Sequence, residues 1–274
     1  MNDSVFAILA VVAAWWLSTG VVLRVVWLPR RMHRASLAIF TVIAVLGGYG
    51  LLRAASMPTV GGAYLGLASS LALWAWHELS FLVGVVCGPR REPCRERATG
   101  WVRFRDATAT VIHHEIALAA TMVAIAAATW GAPNQVATGT FLVLWVMRLS
   151  AKFNVFSGVR NLSEEFVPPH LRYLSSYFRR TRYNPLMLLS LGGGAVALAM
   201  LVGMASAADA SRFTVVGSTL VSAMLALGLL EHVFLAVPLP DAMLWRWLIR
   251  GERETTEPTL LGADPAVALC SKEL

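Results

Sequence analysis

The chain alternates long apolar runs with short polar links. Seven runs stand out, at about Val5 to Leu28, Leu37 to Leu52, Gly61 to Val86, Ala107 to Trp130, Asn134 to Phe156, Pro185 to Met204 and Phe213 to Val237. Crossing a bilayer as an α-helix takes roughly 20 residues, and most of these runs reach that length. A membrane β-barrel would show alternating segments of about ten residues, which are absent. The predicted fold is an all-α polytopic membrane helical bundle of about seven transmembrane helices. In the second run, Gly47, Gly48 and Gly50 would let a neighbouring helix approach closely.

The polar links set the expected orientation. Basic residues gather after the first run (Arg30, Arg31, Arg34), after the third (Arg90, Arg91, Arg95, Arg97, Arg103, Arg105) and after the fifth, in 157–184. The links after the second, fourth and sixth runs are nearly neutral. Arginine-rich loops stay on the cytoplasmic side, so the N-terminus is expected in the periplasm and the C-terminus in the cytoplasm. The chain divides into a bundle over 1–250, carrying a cytoplasmic interfacial segment at 157–184, and a tail over 251–274 of mixed charge, expected to be partly disordered.

Composition narrows the class further. With 57% hydrophobic and 14% charged residues and a mean hydropathy of +0.63, the chain is too apolar for an ordinary soluble domain. The net charge of +7 sits between apolar runs, which is the distribution of membrane loops and argues against a nucleic-acid partner. Cys87, Cys94 and Cys270 form no C-x-x-C pair and imply neither a disulfide framework nor a zinc knuckle. The first run follows Met1-Asn2-Asp3-Ser4 with no basic stretch before it, so it reads as a retained helix.

Candidate chemistry lies inside the runs. The third contains His77-Glu78, the fourth His113-His114-Glu115 and the seventh Glu231-His232. Ionisable groups at membrane depth are expensive and functional by default. Counting about 1.5 Å per residue from the expected inner ends, all three sets fall roughly 9–15 Å below the inner surface. Imidazole and carboxylate without thiolate suit iron, manganese or zinc, which would take His77, Glu78, His114, Glu115, Glu231 and His232. Adjacent His and Glu lie about 100° apart on a helix, unlike the one-faced Glu-x-x-His of two-metal bundles. Alternatively His77, His113, His114 or His232 could take an axial position on a tetrapyrrole, haem or bacteriochlorophyll. The third possibility is packed, hydrogen-bonded histidines and protonated glutamates. Arg148 lies near the same layer and could pair with Glu115, whereas Lys152 is expected to snorkel to headgroups.

In 157–184, Leu171, Leu174, Tyr177 and Phe178 share one helical face, while Arg172, Arg179, Arg180 and Arg182 can reach headgroups. Pro168 and Pro169 suit a first turn, so a short interfacial helix is expected, as a membrane anchor or a partner-docking surface.

Several stretches resemble the PuhE family of photosynthetic complex assembly proteins from purple phototrophic bacteria. They are Trp15-Trp16-Leu17-Ser18-Thr19-Gly20, Trp76-His77-Glu78-Leu79-Ser80-Phe81, His114-Glu115-Ile116-Ala117 and the run from Lys152 to Glu165. The similarity extends to about Arg250. It implies a multi-pass protein of the bacterial inner (intracytoplasmic) membrane that helps build the reaction centre and light-harvesting apparatus or modulates its bacteriochlorophyll supply. Reaction-centre or light-harvesting subunits and pigment-synthesis enzymes would be its partners, beside the lipid bilayer. The resemblance brings no catalytic residue set. An intramembrane metalloenzyme acting on a tetrapyrrole, quinone or carotenoid is the alternative, and a transporter the third reading.

Overall fold

A computed structural model of the chain describes residues 2–162, 164 and 167–237. Among these residues the long elements are all α-helical: α1 Asp3–Val26, α2 Arg30–Ala55, α3 Val60–Leu82, α4 Gly100–Ala128, α5 Val136–Ser157, α6 Pro185–Ala205 and α7 Arg212–Ala236. No strand is formed among them; an isolated bridge joins Val159 and Arg180. The expected tail over 251–274 lies outside the described residues.

The helices start where the polar signals say. Asn2, Thr59, Asn184 and Ser211 each accept a hydrogen bond from a backbone N–H of the first turn of α1, α3, α6 and α7. α2 begins seven residues earlier than the apolar run, because Arg30 to Arg34 are acceptable helix formers that leave the hydrocarbon without leaving the helix. For the same reason α4 begins at Gly100.

Six helices are long and apolar enough to cross a membrane; α3 falls short in apolarity although it is 23 residues long. Its position explains the difference. α3 packs against α1, α2, α4, α5 and α7, so its polar groups meet protein instead of lipid. Its contact with α2 is close: a side chain on Gly47 would lie 2.9 Å from the Ala72 Cβ, and one on Gly50 2.6 Å from the Ser69 Oγ. Gly48, the third glycine of that group, faces open space.

α7 supplies much of the core. Val216, Leu220 and Met224 pack with Ala7 and Val11 of α1, Ala63 and Leu67 of α3, and Val136 of α5. The outer surfaces are apolar, with Leu17 57%, Val45 67% and Leu189 71% exposed, as lipid-facing helices require. At one end Asp3 accepts from Arg212 at 3.0 Å, and further along Trp15 Nε1 donates to Glu231 at 3.1 Å. α1 and α7 therefore run parallel, as the first and seventh spans of an alternating chain must.

Segment 157–184 forms a 3-10 helix, Pro169–Tyr177, instead of an α-helix lying on the membrane. Its apolar face turns into the protein: Leu171 packs with Phe81 and Cys87 in a core that Leu174, Val111 and Val167 complete. Pro168 and Pro169 fix its entry, as expected. Hydrogen bonds clamp it to the link after α3. Arg90 Nε donates to the Tyr177 hydroxyl at 2.8 Å, Cys94 N to the Ser176 hydroxyl at 2.8 Å, and His170 Nε2 to the Leu82 carbonyl at 2.9 Å. Arg172, Arg179, Arg180 and Arg182 remain exposed on its outer side.

Candidate functional site

Beneath this cap lies a cavity of about 620 Å³ walled by α1, α3, α4, α5, α7 and the 3-10 helix. That volume falls within the range of small-molecule sites. Most of its lining is apolar, but Glu78, Glu115, Glu231, Arg148 and Lys152 form a charged band across it. The carboxylates come from α3, α4 and α7, and both cations from α5.

Each carboxylate has a partner. Arg148 Nη2 donates to Glu78 Oε2 at 2.9 Å, Lys152 donates to Glu115, and Trp15 donates to Glu231. The pairing differs from the sequence expectation in two respects. Arg148 takes Glu78 instead of Glu115, and Lys152 turns inward to Glu115 instead of snorkelling outward. The two cations are four residues apart, which puts both on one face of α5. The second α5 face carries Ser150 and Asn154, also four residues apart, and serves a separate polar network.

That network holds His232. Its Nδ1 donates to the Gly228 carbonyl at 2.8 Å, and its Nε2 faces the Ser150 hydroxyl at 2.9 Å. Ser150 in turn lies 2.9 Å from the Ser190 hydroxyl, which Asn154 Nδ2 also reaches at 2.9 Å. Asn184 closes the group by donating to Asn154 Oδ1 at 3.0 Å. His232 is thus tied to α5 and α6, on a different set of partners from the other buried histidines. The single serines and asparagines of this group carry no periodic signal in the sequence beyond the Ser150–Asn154 spacing.

His77 and His114 do meet. Their ring centroids are 6.4 Å apart, and His77 Nε2 pairs with the Thr121 hydroxyl at 2.9 Å. His114 is fully buried and packs on the Phe81 ring at 4.7 Å. Its Nε2 lies 4.0 Å from Glu78 Oε1, beyond hydrogen-bond reach, and neither of its ring nitrogens has a partner. His113, one residue earlier and about 100° round the helix, is on the exposed face of α4 and does not join the cluster. Among the described residues no three His, Cys, Asp or Glu side chains come together as ligands of one ion. As arranged, the six expected metal donors therefore split: Glu78 pairs with Arg148 and lies near His114, His77 pairs with Thr121, Glu115 with Lys152, Glu231 with Trp15, and His232 with Ser150.

The arrangement can hold a hydrophobic molecule that carries oxygen atoms. Apolar walls would take its body, and paired ions in a water-poor site would exchange partners with its carbonyl or carboxylate groups. Neither His77 nor His114 lines the cavity, so its polar contacts come from the charged band and from neutral groups such as Ser18, Thr19 and Thr108, not from imidazole.

Comparison with known proteins places the chain in a family. The chain is 34% identical over 267 residues, covering 94% of its own length and 95% of the relative, to an uncharacterised 30.4 kDa protein of the puhA 5′ region of Rhodobacter capsulatus. No solved structure matches it. A family model described as a protein of unknown function, DUF3623, matches residues 1–256, and the chain belongs to that family.

Proposed function

We propose that the protein is an inner-membrane assembly factor for the photosynthetic apparatus that holds a hydrophobic, oxygen-bearing molecule in the capped cavity. The observation that carries this reading is the cavity itself, apolar in its walls and crossed by Glu78, Arg148, Glu115, Lys152 and Glu231. The puhA neighbourhood of its relative and the resemblance of Lys152 to Glu165 to the PuhE family support the photosynthetic setting. Bacteriochlorophyll and its precursors carry keto and carboxyl or ester oxygens on a large apolar body, which suits Arg148 and Lys152 as recognition groups. In this reading the N-terminus is periplasmic, and the capped end of the cavity, with Arg172, Arg179, Arg180 and Arg182 on its outer side, faces the cytoplasm and its partner proteins.

A second reading is favoured by one observation. The His114 imidazole is buried with both nitrogens unpartnered, and one oxygen of Glu78 is likewise unpartnered; buried polar groups are seldom left so. An ion held there would take His114 and Glu78, and the protein would act as an intramembrane metalloenzyme. One preparation tests both. The detergent-solubilised protein is purified from a phototrophic host, its organic extract is analysed by absorption and mass spectrometry, and its metal content is measured. A co-purifying pigment or isoprenoid, lost in Arg148→Leu, supports the binding factor. Near-stoichiometric iron, manganese or zinc lost in His114→Ala supports the enzyme. Neither signal in either sample removes both readings.

A further inference from the structure

On the outer side of the cap, separated from the large cavity by Leu171, lies a second cavity of about 330 Å³. It sits at the end of the bundle where α1 turns into α2 and α3 ends. Its charged lining consists of Arg30, His33, Arg91 and His170, with no carboxylate among the residues that form it. Four basic groups from α2, the link after α3 and the 3-10 helix therefore face one small space.

Local structure fixes their geometry. His33 Nε2 donates to the Leu28 carbonyl at 3.0 Å and His170 Nε2 to the Leu82 carbonyl at 2.9 Å. A carbonyl only accepts, so each ring is locked with its proton on Nε2, and protonation adds a donor at Nδ1. Gly84 has a φ of +82°, and a side chain on it would come within 3.1 Å of the His170 ring. Only glycine lets the end of α3 turn and His170 lie against it. The Tyr173 hydroxyl is buried there with the Cys87 thiol, a weak acceptor, as its neighbour. Burial pushes its pKa up to about 12, so it keeps its proton to donate.

Electrostatics makes the same point independently. α2 opens with Arg30, Arg31, His33 and Arg34, has no acidic residue in its first turn and no side-chain cap. The N-terminus of a helix carries partial positive charge, so cations there are unfavourable unless an anion offsets them. Burial, and after it the nearby Arg30, His33 and Arg91, hold the His170 pKa below its ordinary value, against the hydrogen bond to Leu82. Cationic guanidiniums, an uncapped helix end, a phenol donor whose neighbour is only a weak acceptor and two imidazoles held in place by carbonyls are the elements of a phosphate site.

We propose that this cavity binds a phosphoryl group, either the headgroup of an anionic phospholipid or the phosphate of a soluble metabolite. The site is independent of the ligand of the large cavity. The full chain in maltoside micelles is titrated with inorganic phosphate and, separately, with dihexanoyl phosphatidic acid, and bound equivalents are counted by native mass spectrometry. Saturable binding of one equivalent of either probe is expected, weakened about tenfold or more in Arg91→Gln and in Arg30→Gln. Binding of phosphate identifies a soluble phosphoryl ligand; binding of phosphatidic acid alone identifies a headgroup. Tyr173→Phe, which alters no charge, weakens the same probe several-fold with an unchanged melting curve. Arg34→Gln, on the same turn but outside the lining, leaves binding intact. Equal weakening in Arg34→Gln, or no saturable binding of either probe, would mean diffuse attraction and overturns the site.

Discussion

Arg148→Met asks whether the charged band is held together by its pairs. Arg148 Nη2 lies 2.9 Å from Glu78 Oε2, and the Glu78 side chain is 12% exposed. Methionine keeps much of the apolar stem and removes the cation, which leaves the Glu78 carboxylate without its partner. Breaking a buried pair by removing one member costs about 3–5 kcal/mol. The Arg148 side chain is 40% exposed, so the expected loss sits at the lower end, about 3 kcal/mol. The double variant Arg148→Met/Glu78→Gln removes both charges and recovers all but about 1 kcal/mol, because a neutral pair of similar size has no charge to desolvate. The assay is unfolding in mixed micelles titrated with dodecyl sulfate, read by tryptophan fluorescence, for all four corners of the cycle. A loss below about 1 kcal/mol in the single variant, with no recovery in the double, would refute the reasoning, since the pair would then contribute nothing to holding the band together.

Three further outcomes follow from the packing and the link regions. Gly50→Leu drives a side chain into the Ser69 hydroxyl and lowers stability by about 1–3 kcal/mol in the same assay, whereas Gly48→Leu, facing open space, changes it little. In a Cys270→Ser background a maleimide labels Cys94 well before Cys87, because Cys87 is 2% exposed and burial pushes its thiol pKa up, reducing the thiolate that reacts; comparable rates would show that the cap opens freely. His170 has a folded pKa held below 6.5, so between that value and 6.5 the unfolded chain binds the extra proton. The cap's stability is then full above the unfolded value and falls with pH, and protection of 168–177 from proteolysis in phosphate-free buffer should drop from about pH 7.5 to about pH 5.5. His170→Gln should flatten that profile.

The sequence made the helices legible because each apolar run is long, and the links carry caps or basic clusters. It also showed which helices carry ionisable groups at similar depth. Partner choice was not legible. Nothing in a single chain distinguishes an Arg148 that reaches Glu78 from one that reaches Glu115, since both carboxylates lie within a turn of the same level and only the rotation of α3 and α4 decides. The inward turn of Lys152 is set by Glu115, which accepts from it, and by the Phe81 ring 5.3 Å away. The cap itself could not be seen because Leu171, Leu174, Tyr177 and Phe178 form the same apolar stripe whether it meets lipid or protein. α3 is the instructive case. Its lower apolarity marks a helix enclosed by five others, and sequence alone reads the same residues as a weaker span.

The parallel pairing of α1 with α7 bears on how the protein is made. Asp3 and Arg212 stand 209 residues apart in the chain, and a ribosome adding about 5–20 residues per second needs about 10–40 s to bridge that interval. Throughout it, α1 sits in the bilayer without the helix it chiefly packs on. The large cavity stays open along the side that α7 later fills. The ionic band also completes late, because Glu231 is its last member to be synthesised. In the proposed binding reading, a lipophilic guest would therefore meet a wider opening toward the membrane before α7 arrives than after it.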